Sequence, residues 1–212
     1  MAVVKNGPNG LYRGKIGANY GYVMHNKQIV RAAPHITKPR SEKQIAQQIK
    51  MAVMGKMLNL IKVYLRVGFA QTAAKREINA ASVAKSYNLK HAIKGAYPDF
   101  EIDYPAVKLT EGNLAVALMP EVATVTEGFK FTWAYDVHNT MCTQFDRTML
   151  MAYFPERDQF IQMIAGLERK ACAETLLIPD TFKGHEAETY ISFVTSDHGV
   201  ISNSVYTGRV TF

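Results

Sequence analysis

The chain has 212 residues, of which 48% are hydrophobic and 20% are charged. This length and composition are typical of a globular protein with a substantial core and argue against long intrinsic disorder. No run of about eighteen apolar residues predicts a membrane-spanning helix, and no apolar segment near the N-terminus resembles a secretory signal. We therefore expect synthesis in the cytoplasm without a signal peptide and no membrane partner, with a virion or an extracellular assembly left open as the final location.

The net charge of +7 hides a division of the chain into a basic and an acidic half. Residues 1–100 carry 12 Lys and 5 Arg against three acidic residues, a net charge of +14, whereas residues 101–212 carry 8 basic and 15 acidic residues, a net charge of −7. Such asymmetry indicates a basic surface that meets an acidic partner. Nucleic acid and the acidic half of a neighbouring copy both fit this description.

Residues 6–22 form a stretch rich in glycine, tyrosine and basic side chains. Glycine permits positive φ and close backbone approach, while tyrosine supplies a large contact area with a polar tip. We predict an extended basic arm here, not a helix. Two short strands, Tyr20–Met24 and Gln28–Ala32, are then predicted to form a hairpin around a turn at His25-Asn26-Lys27.

Two helices are predicted to follow the hairpin. Ser41-Glu42-Lys43-Gln44 matches a capping box, and apolar residues at three- and four-residue steps continue from Ile45 to about Gly68. A second helical pattern runs from about Thr72 to Lys94, with Gly95 as its expected stop.

From Phe100 onward the apolar pattern alternates as in β-strands. Strands are predicted at 101–104, 107–110, 129–133, 148–154, 159–164, 171–178, 189–195 and 200–206. Trp133 alternates in phase with Phe129 and Phe131, so we expect it to be buried in the core of a sandwich. About seven short strands separated by turn residues favour an immunoglobulin-like or fibronectin-like sandwich.

These patterns predict an α+β protein in three parts. Residues 1–40 form a Gly/Tyr-rich basic arm and hairpin, residues 41–96 a helical segment, and residues 97–212 an immunoglobulin-like β-sandwich. Since the boundary near residues 97–105 is a change of period without a flexible linker, the helices and the sandwich are expected to pack on each other.

The residues that most often carry catalysis or metal binding do not form a recognised pattern. Histidines are present at positions 25, 35, 91, 138, 185 and 198, but the zincin, nucleophile-elbow, phosphate-loop and dinucleotide-binding motifs are absent. Asp136 with His138, and Asp197 with His198, would each supply two metal ligands without a third. Cys142, the nucleophile to test, and Cys172 are interpreted as small buried side chains. We predict no enzymatic activity and no catalytic, cofactor-binding or metal-binding residue.

The arm contains the residues that we predict to form an assembly interface, which are Tyr12, Arg13, Lys15, Tyr20 and Tyr22. Our leading hypothesis is a self-assembling structural protein, such as a filament, shell or virion-like component, in which the arm docks on the sandwich of the next copy. Basic residues interleaved with tyrosine also suit phosphates and stacked bases, so a nucleic-acid-associated virion or packaging protein is one alternative. A sandwich module that binds a ligand such as a carbohydrate is the other.

Seven short stretches are together characteristic of one group of proteins. They are Gly14-Lys15-Ile16-Gly17, Tyr97-Pro98-Asp99, Ile102-Asp103-Tyr104, Gly112-Asn113-Leu114, Phe131-Thr132-Trp133, Tyr190-Ile191-Ser192-Phe193-Val194 and Ser202-Asn203-Ser204-Val205-Tyr206-Thr207-Gly208. With these stretches the chain resembles, over nearly its whole length, a family of uncharacterised Bacteroidota proteins grouped as a domain of unknown function. The resemblance implies no activity, substrate or catalytic residue.

Overall fold

The computed structural model describes residues 3–4, 10, 12–24, 27–33 and 38–212. It divides into two compact units, Met1–Glu42 and Lys43–Phe212. The described residues form four α-helices and four antiparallel sheets, so the predicted α+β class is confirmed. None of these helices combines the length and the apolar character needed to cross a membrane.

The N-terminal unit is a four-stranded antiparallel sheet in chain order. Its strands are β1 (Val3–Val4), β2 (Tyr12–Ile16), β3 (Asn19–Met24) and β4 (Lys27–Ala32). The pairing of β3 with β4 confirms the predicted hairpin, while His25 and Asn26 of its predicted turn lie outside the described residues. Within the segment predicted as an extended arm, β2 folds back onto β3, with Lys15 opposite Tyr20.

The two predicted helices are each divided in two. The observed helices are α1 (Glu42–Leu60), α2 (Lys62–Gly68), α3 (Ala70–Arg76) and α4 (Ala80–His91). The first break falls at buried Ile61, whose φ of −97° and ψ of 27° leave the helical region. The second falls at Glu77, which adopts the left-handed conformation, and Asn79 then caps α4 by accepting a hydrogen bond from the Ala81 amide.

The predicted helix stop at Gly95 is wrong. Helix α4 ends at His91, and Gly95 lies in β5 (Ile93–Ala96), which forms a hairpin with β6 (Asp99–Ile102). Gly95 has a φ of 91°, and a Cβ there would lie 2.3 Å from the Asp99 carbonyl oxygen. Glycine is therefore required by a tight hairpin, not by a helix end.

The predicted strand at 107–110 is also wrong, because the backbone there bonds to side chains instead of to another strand. The Asn88 side chain accepts from the Lys108 amide and donates to the Lys108 carbonyl, each at 2.8 Å. The Ser204 hydroxyl accepts from the Leu109 amide at 2.9 Å. The alternation of Val107 and Leu109 reflects their burial and not sheet pairing.

Seven further strands form two sheets that face each other. They are β7 (Leu118–Val125), β8 (Gly128–Ala134), β9 (Arg147–Phe154), β10 (Gln159–Glu168), β11 (Ala173–Leu177), β12 (Glu186–Val194) and β13 (Val205–Thr211). One sheet has the order β10-β9-β12-β13 and the other the order β11-β8-β7. Of the strand predicted at 200–206, Ile201 and Ser202 form only isolated bridges, to Val194 and Leu114, and the continuous strand β13 begins at Val205.

The four-stranded sheet is the centre of the C-terminal unit, since both of its faces are covered. Along β9, Met149, Met151 and Tyr153 pack against the helices, whereas the alternate residues Leu150, Ala152 and Phe154 pack against the three-stranded sheet. A strand buried on both faces reads as a continuous apolar run, as β9 does. The unit therefore has three layers: helices, central sheet and outer sheet.

Candidate functional site

The five predicted interface residues lie on the two faces of the N-terminal sheet. Lys15 is opposite Tyr20, and Tyr20 is opposite Arg31, so the three side chains form a row across β2, β3 and β4. Because side chains two positions apart share a face, Arg13 and Tyr22 belong to the same face as this row. Tyr12 belongs to the other face. Four of the five predicted residues therefore lie on one face, and Arg31 of β4 is a fifth member of that face.

The face that carries this row is cationic and aromatic. The Arg31 guanidinium lies 5.7 Å from the centroid of the Tyr22 ring, within cation–π range. An open groove of about 870 Å³ runs over this face and is lined by Arg13, Lys15, Tyr20, Tyr22 and Arg31. Across residues 1–42 the sequence has seven Lys and Arg residues against the single acidic residue Glu42. This cationic-aromatic face suits an anionic partner that offers flat or apolar groups.

The opposite face of the N-terminal sheet is open and mostly apolar, with Asn19 and Gln28 as its polar members. The Tyr12 ring covers Gly21, where a Cβ would lie 2.4 Å from ring carbons, so only glycine fits. Val30 is opposite Gly21 and is 49% exposed, and Ile16, two residues beyond Gly14 on the same face, is 44% exposed. Among the described residues of this unit only Gly21 is buried. The part of the sheet that the structure describes thus has no buried core of its own.

Among the residues that the structure describes, the candidate metal-binding side chains do not come together as three ligands. The Asp136 carboxylate accepts a hydrogen bond from the His138 amide at 2.9 Å, which is a local turn contact. No group of three His, Cys, Asp or Glu side chains suitable for a metal occurs in the part of the chain that the structure describes, which does not include His25 and His35.

The two cysteines are half-buried, so the interpretation of them as small buried side chains is wrong. Burial raises the pKa of the Cys142 thiol, while nearby Arg169 acts in the opposite direction. The net shift favours the neutral thiol, which is a poor nucleophile.

A second cleft, in the C-terminal unit, could not be predicted from the sequence. We call it the tyrosine pocket; its volume is about 340 Å³, and its lining includes Lys56, Lys94, Glu101, Tyr104, Tyr153, Asp158 and Arg209. The Tyr104 and Tyr153 ring centroids are 6.1 Å apart. The lining comes from α1, the β5–β6 hairpin and the central sheet, so its residues have no common spacing along the chain.

The charged groups of the tyrosine pocket are already paired. Lys56 Nζ lies 2.6 Å from Asp158 Oδ2, and Lys94 Nζ lies 3.9 Å from Glu101 Oε2. Arg209 Nη2 lies 2.7 Å from Glu188 Oε1, and Glu188 also accepts a 2.6 Å hydrogen bond from the Tyr206 hydroxyl. The pocket therefore offers many polar groups with little excess charge of either sign, which suits a neutral polar ligand.

Three tyrosines of the C-terminal unit should make the protein sensitive to alkali. Burial raises the pKa values of Tyr64, Tyr153 and Tyr206, whereas in the unfolded chain a phenol ionises near pH 10. A raised folded-state pKa means that the stabilisation is fully present below about pH 10 and is lost as the pH rises above it. Urea unfolding at about pH 9 and at about pH 11 should therefore show a lower free energy of unfolding at the higher pH.

Tyr64 allows a control for this expectation. Its hydroxyl donates to the Met149 carbonyl at 3.3 Å and lies 3.2 Å from the Ser192 hydroxyl. The Tyr64→Phe variant should start from a lower stability at about pH 9 and lose less of it by about pH 11. An equal loss in the two proteins would show that Tyr64 does not contribute to the alkaline transition.

Comparison with known proteins relates the chain to one family. A search of the curated proteins found no match, and a search of the solved structures found none either. A family model described as "Family of unknown function (DUF6266)" matches residues 11–208. The match begins just before β2 and continues into β13, so it covers most of both compact units. The predicted resemblance to a family without known activity is confirmed, and the chain belongs to this family of unknown function.

Proposed function

We propose that this chain is a non-enzymatic structural protein that assembles with copies of itself through its N-terminal sheet. The observation that carries the proposal is the lack of a core in that sheet, where Gly21 alone is buried among the described residues. A sheet is stable in water only when an apolar face is covered by another layer. Ile16 and Val30 on the open apolar face offer the surface that a neighbouring copy would cover.

The distribution of ion pairs supports an interface based on apolar contact more than on net charge. Of the 15 acidic residues in 101–212, nine have a Lys, Arg or His nitrogen of the same unit within 3.9 Å. The acidic half is therefore largely neutralised within its own unit. Added salt should weaken assembly only modestly, because few acidic side chains are left to meet the basic sheet.

The strand order of the sandwich supports the proposal that it is immunoglobulin-like, close to the fibronectin type. If the seven strands β7–β13 are lettered A, B, C, C′, E, F and G, the sheets read E-B-A and C′-C-F-G. A constant-type immunoglobulin domain differs in its fourth strand, which joins the sheet of A, B and E. Trp133 lies on strand B, whereas antibody domains bury their tryptophan on strand C.

Deletion of residues 1–40 tests the proposed function. We expect the shortened protein to remain folded, since Lys43–Phe212 is a compact unit with its own cores, and to lose its self-association. Sedimentation velocity measures the association state, and urea unfolding measures the stability. Full-length Leu177→Ser, which changes a side chain that is 61% exposed on the outer sheet, is the control and should assemble normally.

Each of the other possible results of this deletion experiment has its own interpretation. A full-length protein that stays monomeric at every concentration, or a shortened protein that still assembles, would contradict the proposal. A shortened protein that unfolds would show that the sheet contributes to the stability of its own chain.

Nucleic-acid binding is a second candidate, favoured by the Lys15–Tyr20–Arg31 row on the cationic-aromatic face. Cationic side chains would contact phosphates and the tyrosines would stack on bases. This function predicts that the deletion abolishes salt-dependent retention of single-stranded DNA while assembly persists.

Ligand binding by the sandwich unit is a third candidate, favoured by the tyrosine pocket with its paired charges. The class of ligand that these features suit is a neutral polyhydroxylated molecule such as a carbohydrate. Tyr104→Ala should then abolish the binding of a neutral sugar while assembly is unchanged.

A further inference from the structure

A pocket of the C-terminal unit combines three cationic side chains with one carboxylate. We call it the basic pocket; its volume is about 380 Å³, and its charged members are Lys75, Arg76, Lys108 and Glu111. Three positive charges against one negative charge leave a net charge of +2. The basic pocket therefore differs from the tyrosine pocket, where cations and carboxylates are paired.

Lys108 is held in place by two contacts. Its ammonium group lies 4.1 Å from the centroid of the Tyr87 ring and 3.9 Å from Glu111 Oε2. Glu111 in turn accepts a 3.5 Å hydrogen bond from the Thr72 hydroxyl. The side chains of Lys108 and Glu111 are only 23% and 27% exposed. A cation that is fixed and partly shielded from water attracts an anion more strongly than a mobile one in solvent, and less entropy is lost on binding.

Lys75 and Arg76, in the last turn of α3, are the cations of the pocket without a counter-charge. Neither side chain forms an ion pair with any residue of the C-terminal unit that the structure describes. Basic residues in a last helical turn interact favourably with the helix dipole, which is a purely structural role. Lys108 lies outside that helix, so the dipole does not explain why three cations share one pocket.

The loop that carries Glu111 is anchored on both sides of the pocket. The Glu111 amide donates to the Gly68 carbonyl at 2.8 Å, and Gly112 lies so close to the Ile201 carbonyl that a Cβ would not fit there. The Asn203 side chain, which also lines the pocket, accepts from the Gly112 amide at 3.3 Å through its oxygen. Its NH2 group remains as a neutral donor for a ligand. The polar groups of the pocket are therefore arranged before any ligand arrives.

We propose that the basic pocket binds a dianionic phosphate group, with Lys75, Arg76 and Lys108 as its ionic contacts. Arg and Lys are the side chains that proteins use to bind phosphate oxygens. A phosphate monoester, whose second pKa is about 6, carries nearly two negative charges at about pH 8 and so matches the net charge of +2. A carboxylate or a phosphodiester, with one charge, matches it less well. This site is independent of the proposed self-assembly.

Calorimetric titration of the full-length protein with glycerol 3-phosphate, at about pH 8 and fixed ionic strength, tests the site. Lys75→Gln with Arg76→Gln should weaken binding by at least about tenfold, and the fold should persist because both side chains are exposed. Lys62→Gln with Arg66→Gln removes the same two charges from exposed positions of α2. This matched control should bind like the unchanged protein.

Glu111→Gln should have an effect of the opposite sign. Removing the negative charge from the pocket should tighten the binding of glycerol 3-phosphate by about threefold, because the repulsion between the carboxylate and the phosphate is lost. Unchanged or weaker binding by this variant would contradict a phosphate held beside Glu111.

Two further titrations define the chemistry of the ligand. Glycerol should not bind, whereas inorganic phosphate should. Equal affinities for inorganic phosphate and glycerol 3-phosphate would identify the phosphate group alone as the ligand, and tighter binding of glycerol 3-phosphate would identify an organic monoester. The proposal is overturned if the unchanged protein binds neither compound. It is also overturned if the α2 variant loses as much binding as the α3 variant, since the attraction would then be general to the basic helices.

Discussion

Replacing Trp133 with alanine is expected to lower the free energy of unfolding by about 3–5 kcal/mol. Trp133 is 4% exposed, and its ring meets the Phe193 ring edge-on at a centroid distance of 5.5 Å. The indole N–H donates to the Arg169 carbonyl at 2.7 Å. Truncation therefore leaves a cavity between the two sheets and an acceptor without its donor, and both effects destabilise the fold.

Two variants separate these effects. Trp133→Phe keeps most of the ring contact and loses the hydrogen bond, so its cost should be smaller, about 1–3 kcal/mol. Leu177→Ala, at an exposed site, should change the stability by less than about 0.5 kcal/mol. Circular dichroism should follow the urea unfolding, because Trp133 is the single tryptophan and its fluorescence is lost with it. An unchanged midpoint for Trp133→Ala would place the ring outside the core.

Replacing Asp146 with alanine should destabilise the protein by a similar amount, about 3–5 kcal/mol. The Asp146 carboxylate lies 3.2 Å from Arg169 Nε, and both side chains are almost fully buried, at 1% and 3% exposure. Burial already lowers the pKa of Arg169, and the Asp146 charge is among the groups that oppose this shift. Without Asp146 a buried guanidinium remains without a counter-charge, although its hydrogen bonds to backbone carbonyls persist.

Glu121→Ala is the matched control for the loss of one carboxylate. Glu121 is exposed on β7 and should contribute less than about 0.5 kcal/mol. Urea unfolding near neutral pH measures both variants. Equal stabilities of Asp146→Ala and Glu121→Ala would mean that the buried pair contributes nothing to the fold.

Several elements of the fold could be predicted because a local pattern determined them. Phe129, Phe131 and Trp133 alternate strictly, and they form one face of β8 in the core. The helix that the Ser41 capping box predicts does begin at Glu42. In both cases neighbouring residues carry the signal, so no knowledge of distant contacts is needed.

Other elements could not be predicted, because contacts distant in sequence determine them. The alternation at Val107 and Leu109 resembles a strand, yet Asn88 and Ser204 take the hydrogen bonds that a neighbouring strand would need. The helix breaks at Ile61, whose side chain is buried in a core shared with the central sheet.

The candidate sites differ in the same way. Four residues of the cationic-aromatic face were predicted because basic and tyrosine side chains are concentrated in residues 6–22, although the strand pairing that brings them together was not predicted. The tyrosine pocket draws on segments from Lys56 to Arg209, so it has no sequence signature.

The position of the central sheet has a consequence for how the chain is made. Its neighbouring strands β9 and β12 pair residues about forty positions apart, as in Leu150 with Ile191, and such non-local pairing is slow. Until it is covered, the side with Met149, Met151 and Tyr190 is a flat apolar surface on which nascent chains can aggregate. On the ribosome the helices emerge before any strand of that sheet. The segment that shields the sheet is therefore already available when the first exposed strand leaves the exit tunnel.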